Sequence, residues 1–215
     1  MYVQKAIYKG GSGEITEKKS RFIAHVAAAS TVEEAQQFIE KIRKQYWDAR
    51  HNCSAFFVGD ENPVTRSSDD GEPGGTAGKP ILEVILGSGI SNIVIVVTRY
   101  FGGTLLGTGG LVRAYSEAAR EGIRHCQVMD KIRGIRVRLT GEYTDLGKLQ
   151  YLLAQNKVHV LDTEYTDKVA VTALFPLEDS EKLQEIITES TSGRVGIEKI
   201  EELYYGIVDG KVISV

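Results

Sequence analysis

Apolar residues along this chain follow two spacings, a period of two and a period near 3.6, and the two alternate. In residues 20–28, Phe22, Ala24 and Val26 alternate with Arg21, Ile23 and His25, which predicts a strand. Ser30 and Glu33 then have the spacing of a capping box. Ala35, Phe38, Ile39, Ile42 and Tyr46 follow at helical intervals. Residues 53–58 predict a second strand. Residues 59–78 carry no apolar period and predict a long loop, of a length usually reserved for function or mobility. Pro80 can open a short helix over residues 81–86, because its missing N–H costs nothing in a first turn. Residues 93–98 are almost wholly apolar and β-branched, as a strand buried on both faces requires.

The next helix has the clearest pattern. Thr108 is its expected N-cap, and Leu111, Tyr115, Ala118, Ala119, Gly122 and Cys126 form an apolar stripe. Arg113, Glu117, Arg120, Glu121 and Arg124 occupy the opposite side. Residues 127–134 predict a strand edge or a linker. Beyond them Ile135, Val137 and Leu139 alternate with Arg136 and Arg138 as a strand, and Leu146, Leu149 and Leu153 mark a helix. Two strands, 158–165 and 169–175, flank a turn at Thr166-Asp167-Lys168. A helix through Leu183, Ile186 and Ile187, capped by Asp179 or Ser180, and a strand over 197–205 complete the pattern. The order βαββαβ is the ferredoxin-like split motif, a fold that names no function. The chain is therefore expected to be α+β, with one domain over residues 1–133 and a ferredoxin-like one over 134–215.

Composition narrows the class. With 215 residues, 42% hydrophobic and 26% charged, the chain can bury a real core. No apolar run approaches the roughly 18 residues of a membrane span, and Met1-Tyr2-Val3-Gln4-Lys5 has no signal-peptide stretch. Two cysteines, Cys53 and Cys126, make no disulfide framework, so a reduced, cytoplasmic setting is expected. The net charge of −3 argues against a generic polyanion binder. It is uneven, however: residues 1–133 hold 17 Lys and Arg against 15 Asp and Glu, while residues 134–215 hold 9 against 14. The first part is the one suited to meet an anion.

Two glycine-rich segments carry the candidate chemistry. Gly107, Gly109 and Gly110 would let an anion approach the free N–H groups of the helix opening near Thr108, with Arg113 adding a cation. A tight turn with close helix packing is the alternative reading. In the other segment, Asp69, Asp70 and Glu72 could ligate Mg²⁺, cap turns, or contact a partner or nucleic acid. Lys79 sits where a P-loop lysine would, but Pro73 and Pro80 break that motif, and the dinucleotide fingerprint lacks its third glycine. No cofactor is therefore expected. Arg99 can pair with phosphate, and Tyr100 or Phe101 can stack on bases; otherwise these aromatics close over the core, Phe101 more readily. Trp47 is expected in the core or as a helix-end anchor. A Cys53–His51 nucleophile is disfavoured because Cys53 is expected to be buried.

These residues resemble a known family. Asp69-Asp70-Gly71-Glu72-Pro73-Gly74-Gly75-Thr76-Ala77-Gly78-Lys79-Pro80, Val97-Thr98-Arg99-Tyr100-Phe101-Gly102-Gly103 and Leu106-Gly107-Thr108-Gly109-Gly110-Leu111-Val112-Arg113-Ala114-Tyr115 look like the signature of the IMPACT/YigZ family. The likeness spans residues 18 to 126, and the remainder resembles the small C-terminal domain of bacterial members. It implies a first domain like the second domain of ribosomal protein S5, followed by the ferredoxin-like domain. Both resemble RNA-contacting domains of elongation factor G. Eukaryotic members regulate translation through an extra RWD domain that binds the activator of an initiation-factor kinase. The likeness here includes no such domain, so that partner role is not expected.

The expected function is a cytoplasmic RNA- or ribosome-associated regulator of translation. Lys79, Arg99, Tyr100, Gly102, Gly103, Gly107, Thr108, Gly109, Gly110 and Arg113 are its candidate phosphate- and nucleic-acid-binding residues. A Mg-dependent enzyme on a phosphorylated small molecule, using Asp69 or Asp70, is the alternative, as is a pure protein-interaction module. A translation-machinery protein is a possible partner, no membrane is expected, and a monomer is favoured.

Overall fold

The computed structural model describes residues 4–60 and 62–214, so the reading at Met1–Val3 lies outside the described residues. Two compact units divide the chain, Met1–Asp130 and Lys131–Val215. The elements of the first are β1 (Gln4–Lys9), β2 (Gly11–Glu17), β3 (Ser20–Ala28), α1 (Val32–Gln45), β4 (His51–Val58), β5 (Val64–Ser68), α2 (Gly78–Ser88), β6 (Ile90–Ser91), β7 (Ile93–Tyr100) and α3 (Gly107–Arg124). Five strands form one antiparallel sheet in the order β2-β3-β7-β4-β5. β1 pairs with β6 in parallel, Lys5 opposite Ile90 and Ala6 opposite Ser91.

The period-two pattern of β3 and β4 explains the layers. Phe22, Ala24 and Val26 face one side with Cys53 and Ala55, Ile95 and Val97, under α2 and α3. Phe56, Val58 and Val94 face the other side, under Ala35, Phe38 and Ile39 of α1. With helices on both faces, the central strand β7 is buried from Ile93 to Arg99, as its β-branched run requires.

Several boundaries differ from the pattern. The capping residue of α1 is Thr31, one position on from Ser30: its Oγ1 accepts from the Glu34 N–H, and the Glu34 carboxylate accepts from Ser30 N–H. Residues 64–68, expected as loop, form the edge strand β5, whose exposed polar residues show no alternation to read. α2 begins at Gly78, with Pro80 inside its first turn. Trp47, expected in the core or as a helix-end anchor, lies just past the end of α1 and is 82% exposed, so it is not in the core.

β8 (Gln127–Gly141) begins in the last residues of the first unit and runs into the second, which also contains α4 (Tyr143–Gln155), β9 (His159–Tyr165), β10 (Val169–Pro176), α5 (Ser180–Thr191), β11 (Gly196–Val208) and β12 (Lys211–Ser214). Residues 127–134, expected as an edge or linker, belong to the long strand β8. The strand order is β9-β10-β8-β11-β12, antiparallel throughout. Val137, Leu139, Val171 and Phe175 pack on Leu149, Leu153 and Ile187 of the two helices. No side chain caps α5, which a 3₁₀ turn over Leu177–Asp179 leads into.

Candidate functional site

Each strand of the first sheet sends successive side chains to opposite faces, and this separates residues that are adjacent in sequence. Arg99 and Tyr100 end β7 side by side, yet they meet different partners. Tyr100 is half-buried; its Oη donates to Asp48 Oδ1 (2.8 Å), and Arg21 lies 5.8 Å from its ring centre. Arg99 enters the core below α3.

Arg99, expected to hold phosphate at the surface, is instead buried. Its Nη1 donates to Glu72 Oε1 at 2.6 Å, and the two side chains are only 7% and 3% exposed. The phenol of Tyr115 donates to the same carboxylate oxygen at 2.7 Å. The single proton of the Cys53 thiol has two acceptors in reach, the Asp69 carbonyl (3.0 Å) and Tyr115 Oη (3.3 Å). Phe22 and Phe101 flank the guanidinium, with ring centres 5.4 and 5.6 Å from it. Phe101 is 52% exposed, so it covers Arg99 rather than the core. Burial pushes the Cys53 thiol up to about 12, and burial likewise raises the Tyr115 phenol. Both groups therefore stay protonated and act as donors, not nucleophiles.

The acids of the first glycine segment diverge. Glu72 turns inward to Arg99. Asp69 Oδ1 accepts from the N–H groups of Ala77 and Gly78, and its Oδ2 from that of Gly75. It thereby fills the N-terminus of α2 with a carboxylate. Burial raises the Asp69 carboxyl, but the three backbone bonds outweigh that and hold it below the usual aspartate value. Asp70 accepts from Arg43 Nη2 (2.8 Å) and Asn52 N (2.7 Å). No group of three or more His, Cys, Asp or Glu suited to a metal ion occurs among the described residues. Lys79 is exposed on the first turn of α2.

The second segment is built differently. A Cβ on Gly102 would lie 2.0 Å from the Lys19 carbonyl carbon, and its N–H donates to Ser20 Oγ, so this position needs glycine for a close backbone approach. Gly107 turns the chain into α3 at φ +70°. Thr108 lies inside the first turn and is exposed; no side chain caps α3, which corrects the expected N-cap. Gly103 and Gly109 are exposed, and a Cβ on either would meet nothing within 4 Å. A cavity of about 360 Å³ opens beside this turn, lined by Gly110 and Arg113 together with Lys18, Glu17 and Glu117. Lys18 and its neighbour Lys19 form the two-residue β2–β3 turn, at φ 45° and 67°. Left-handed φ at two successive lysines is costly where Asn-Gly is the usual choice. Sequence reasoning missed this pair; the signal was a lysine dipeptide between two short alternating runs.

Comparison with known proteins bears on the whole chain. The Impact N-terminal domain family matches residues 18–123, and DUF1949, a domain of unknown function, matches residues 139–194. The chain is 39% identical over 198 residues to the IMPACT family member YvyE of Bacillus subtilis, covering 92% of this chain and 91% of that one. The chain belongs to the IMPACT family. It is also 37% identical over 187 residues to the IMPACT family member YigZ of Escherichia coli, covering 86% and 92% of the two chains. A solved structure described as a hypothetical protein is 34% identical, with TM-score 0.60, over 94% of this chain and 98% of that one. Within this IMPACT family chain, no helix among the described residues is long and apolar enough to cross a membrane.

Proposed function

We propose that this IMPACT family chain is a cytoplasmic regulator of translation that binds RNA, free or in the ribosome, through phosphate contacts at the start of α3. The observation that carries the reading is the uncapped first turn of α3, flanked by Lys18 and Arg113 in one cavity. Free N–H groups and roughly half a positive charge collect at such a turn, and Lys18 and Arg113 add two cations to a cavity that also holds Glu17 and Glu117. The strained Lys18-Lys19 turn supports the same surface, since strain kept at an exposed cationic site needs a purpose outside the core. Family likeness supports the translational role. For the second unit, the βαββαβ order with strands arranged β9-β10-β8-β11 supports a ferredoxin-like reading. For the first, likeness to the second domain of ribosomal protein S5 rests on the family.

Arg113, Lys18 and the backbone of Gly107 to Gly110 are the phosphate contacts in this reading. Arg99 and Tyr100 support the fold around them. The test is fluorescence anisotropy with a labelled single-stranded RNA across a salt series. Affinity should fall steeply with salt, and Lys18→Ala with Arg113→Ala should reduce the log–log slope by about 0.7 per lost contact. No RNA binding at low salt, or an unchanged slope in the double variant, overturns the site.

A further inference from the structure

On the other face of the same sheet, a second cavity of about 400 Å³ lies between α1 and the strands β4 and β5. α1 contributes Gln36, Ile39, Glu40 and Arg43, a single stripe at helical spacing. The strands contribute Ser54, Phe56, Arg66 and Ser68 from one face of the sheet, because Ser54 pairs with Ser68 and Phe56 with Arg66. Phe56 is buried and Ile39 half-buried, giving an apolar floor. The rim is polar and carries Arg43, Arg66 and Glu40.

The two arginines differ in what already holds them. Arg43 donates to Glu40 and Asp70, while its Nε is buried with no partner. Arg66 is exposed and makes no ion pair among the described residues. The cavity thus offers one uncompensated guanidinium and one unused buried donor beside serine hydroxyls and an apolar floor. Volumes of this size fit small organic ligands, and a few polar groups on an apolar lining set their orientation.

We propose that this cavity binds a small organic anion with an aromatic or apolar body. Its phosphate or carboxylate head lies on Arg66 and Arg43, and its body lies on Ile39 and Phe56. The site is separate from the α3 turn and does not depend on RNA binding there.

Phenyl phosphate titrated into the isotopically labelled full-length protein provides the test, read by amide chemical shifts. The expected result is saturable shifts at residues 36–43 and 66–68, with Kd below about 10 mM. Arg66→Gln, on an exposed edge strand, should weaken binding at these residues about tenfold, and Lys182→Gln, exposed on α5, should leave it unchanged. Inorganic phosphate should bind more weakly than phenyl phosphate. No saturable shift at residues 36–43 and 66–68, or equal binding by Arg66→Gln, overturns the site. Equal affinity for inorganic and phenyl phosphate overturns the apolar subsite.

Discussion

The two glycine-rich segments have similar compositions and opposite construction. Each leads into a helix, α2 or α3. At α2 the chain supplies its own anion: Asp69 occupies the N-terminus, Asp70 is held by Arg43 and Asn52, and Glu72 is buried against Arg99. At α3 no side chain caps the turn, and Gly109 faces open space. A helix N-terminus that is already filled is part of the scaffold, and one left open beside cations is available to a ligand. Glycine content alone does not distinguish the two cases; a carboxylate bonded to the helix N–H groups does, and only α2 has one.

Removing the buried carboxylate has the largest expected effect. Glu72→Ala leaves Arg99 charged and unpaired in the core and should cost about 3–5 kcal/mol in urea unfolding. Glu72→Leu combined with Arg99→Met should recover most of that loss, since the pair offsets its own desolvation only partly. A cost below about 1 kcal/mol for the single variant would falsify the view of the first segment as locked scaffold. Gly102→Ala comes next: its Cβ has no room beside Lys19, so a loss of about 1–3 kcal/mol is expected, with the β2–β3 turn displaced.

Asp69→Asn should cost about 1–2 kcal/mol, because the amide nitrogen in place of one carboxylate oxygen cannot accept from the Gly75 N–H and the negative charge at the helix start is lost. The same group sets an acid response. Its folded-state carboxyl lies below the ordinary value, so its contribution is complete above about pH 4 and is lost as pH falls through the lower folded value. Wild type should therefore lose more stability than Asp69→Asn between pH 5 and pH 2, and parallel acid curves would remove Asp69 from that role. The smallest effect belongs to Gly109→Ala, which should raise thermal stability by up to about 1 kcal/mol, because nothing in the fold needs glycine there. If the open turn receives phosphate, the same change weakens RNA affinity while stability rises; unchanged affinity would place the contact elsewhere.

Much of this was legible in the apolar pattern. Ser20–Ala28 appears as a strand with its expected bounds, the 93–98 run is buried on both sides, and the stripe on α3 packs inward at Leu111, Tyr115, Ala118 and Ala119. Those elements bury one or both faces, and burial is what a hydrophobic period records. β5 was not legible, because an exposed edge strand such as Val64–Ser68 is held by ladder hydrogen bonds that leave no trace in hydropathy. Thr31 displaced Ser30 as cap because a one-residue choice among neighbouring hydroxyls depends on where the chain enters the helix. Arg99 was misplaced for a different reason. A charged residue at the end of an apolar strand reads as surface unless its partner is known, and Glu72 is 27 residues away in sequence. Trp47 shows the converse, a large apolar side chain left in solvent.

The central position of β7 also bears on how the protein is made. Residues 93–97 form the kind of uncharged β-branched segment that associates with copies of itself when exposed. Both of its neighbours, β3 and β4, precede it in the chain. As it leaves the ribosome its two flanking strands have already been synthesised, so it can close the gap between them instead of waiting for a later partner. The finished sheet then ends in β2, whose Gly11 and Gly13 lie against the backbone at the end of α3, and in β5, a short strand of exposed, mostly polar residues.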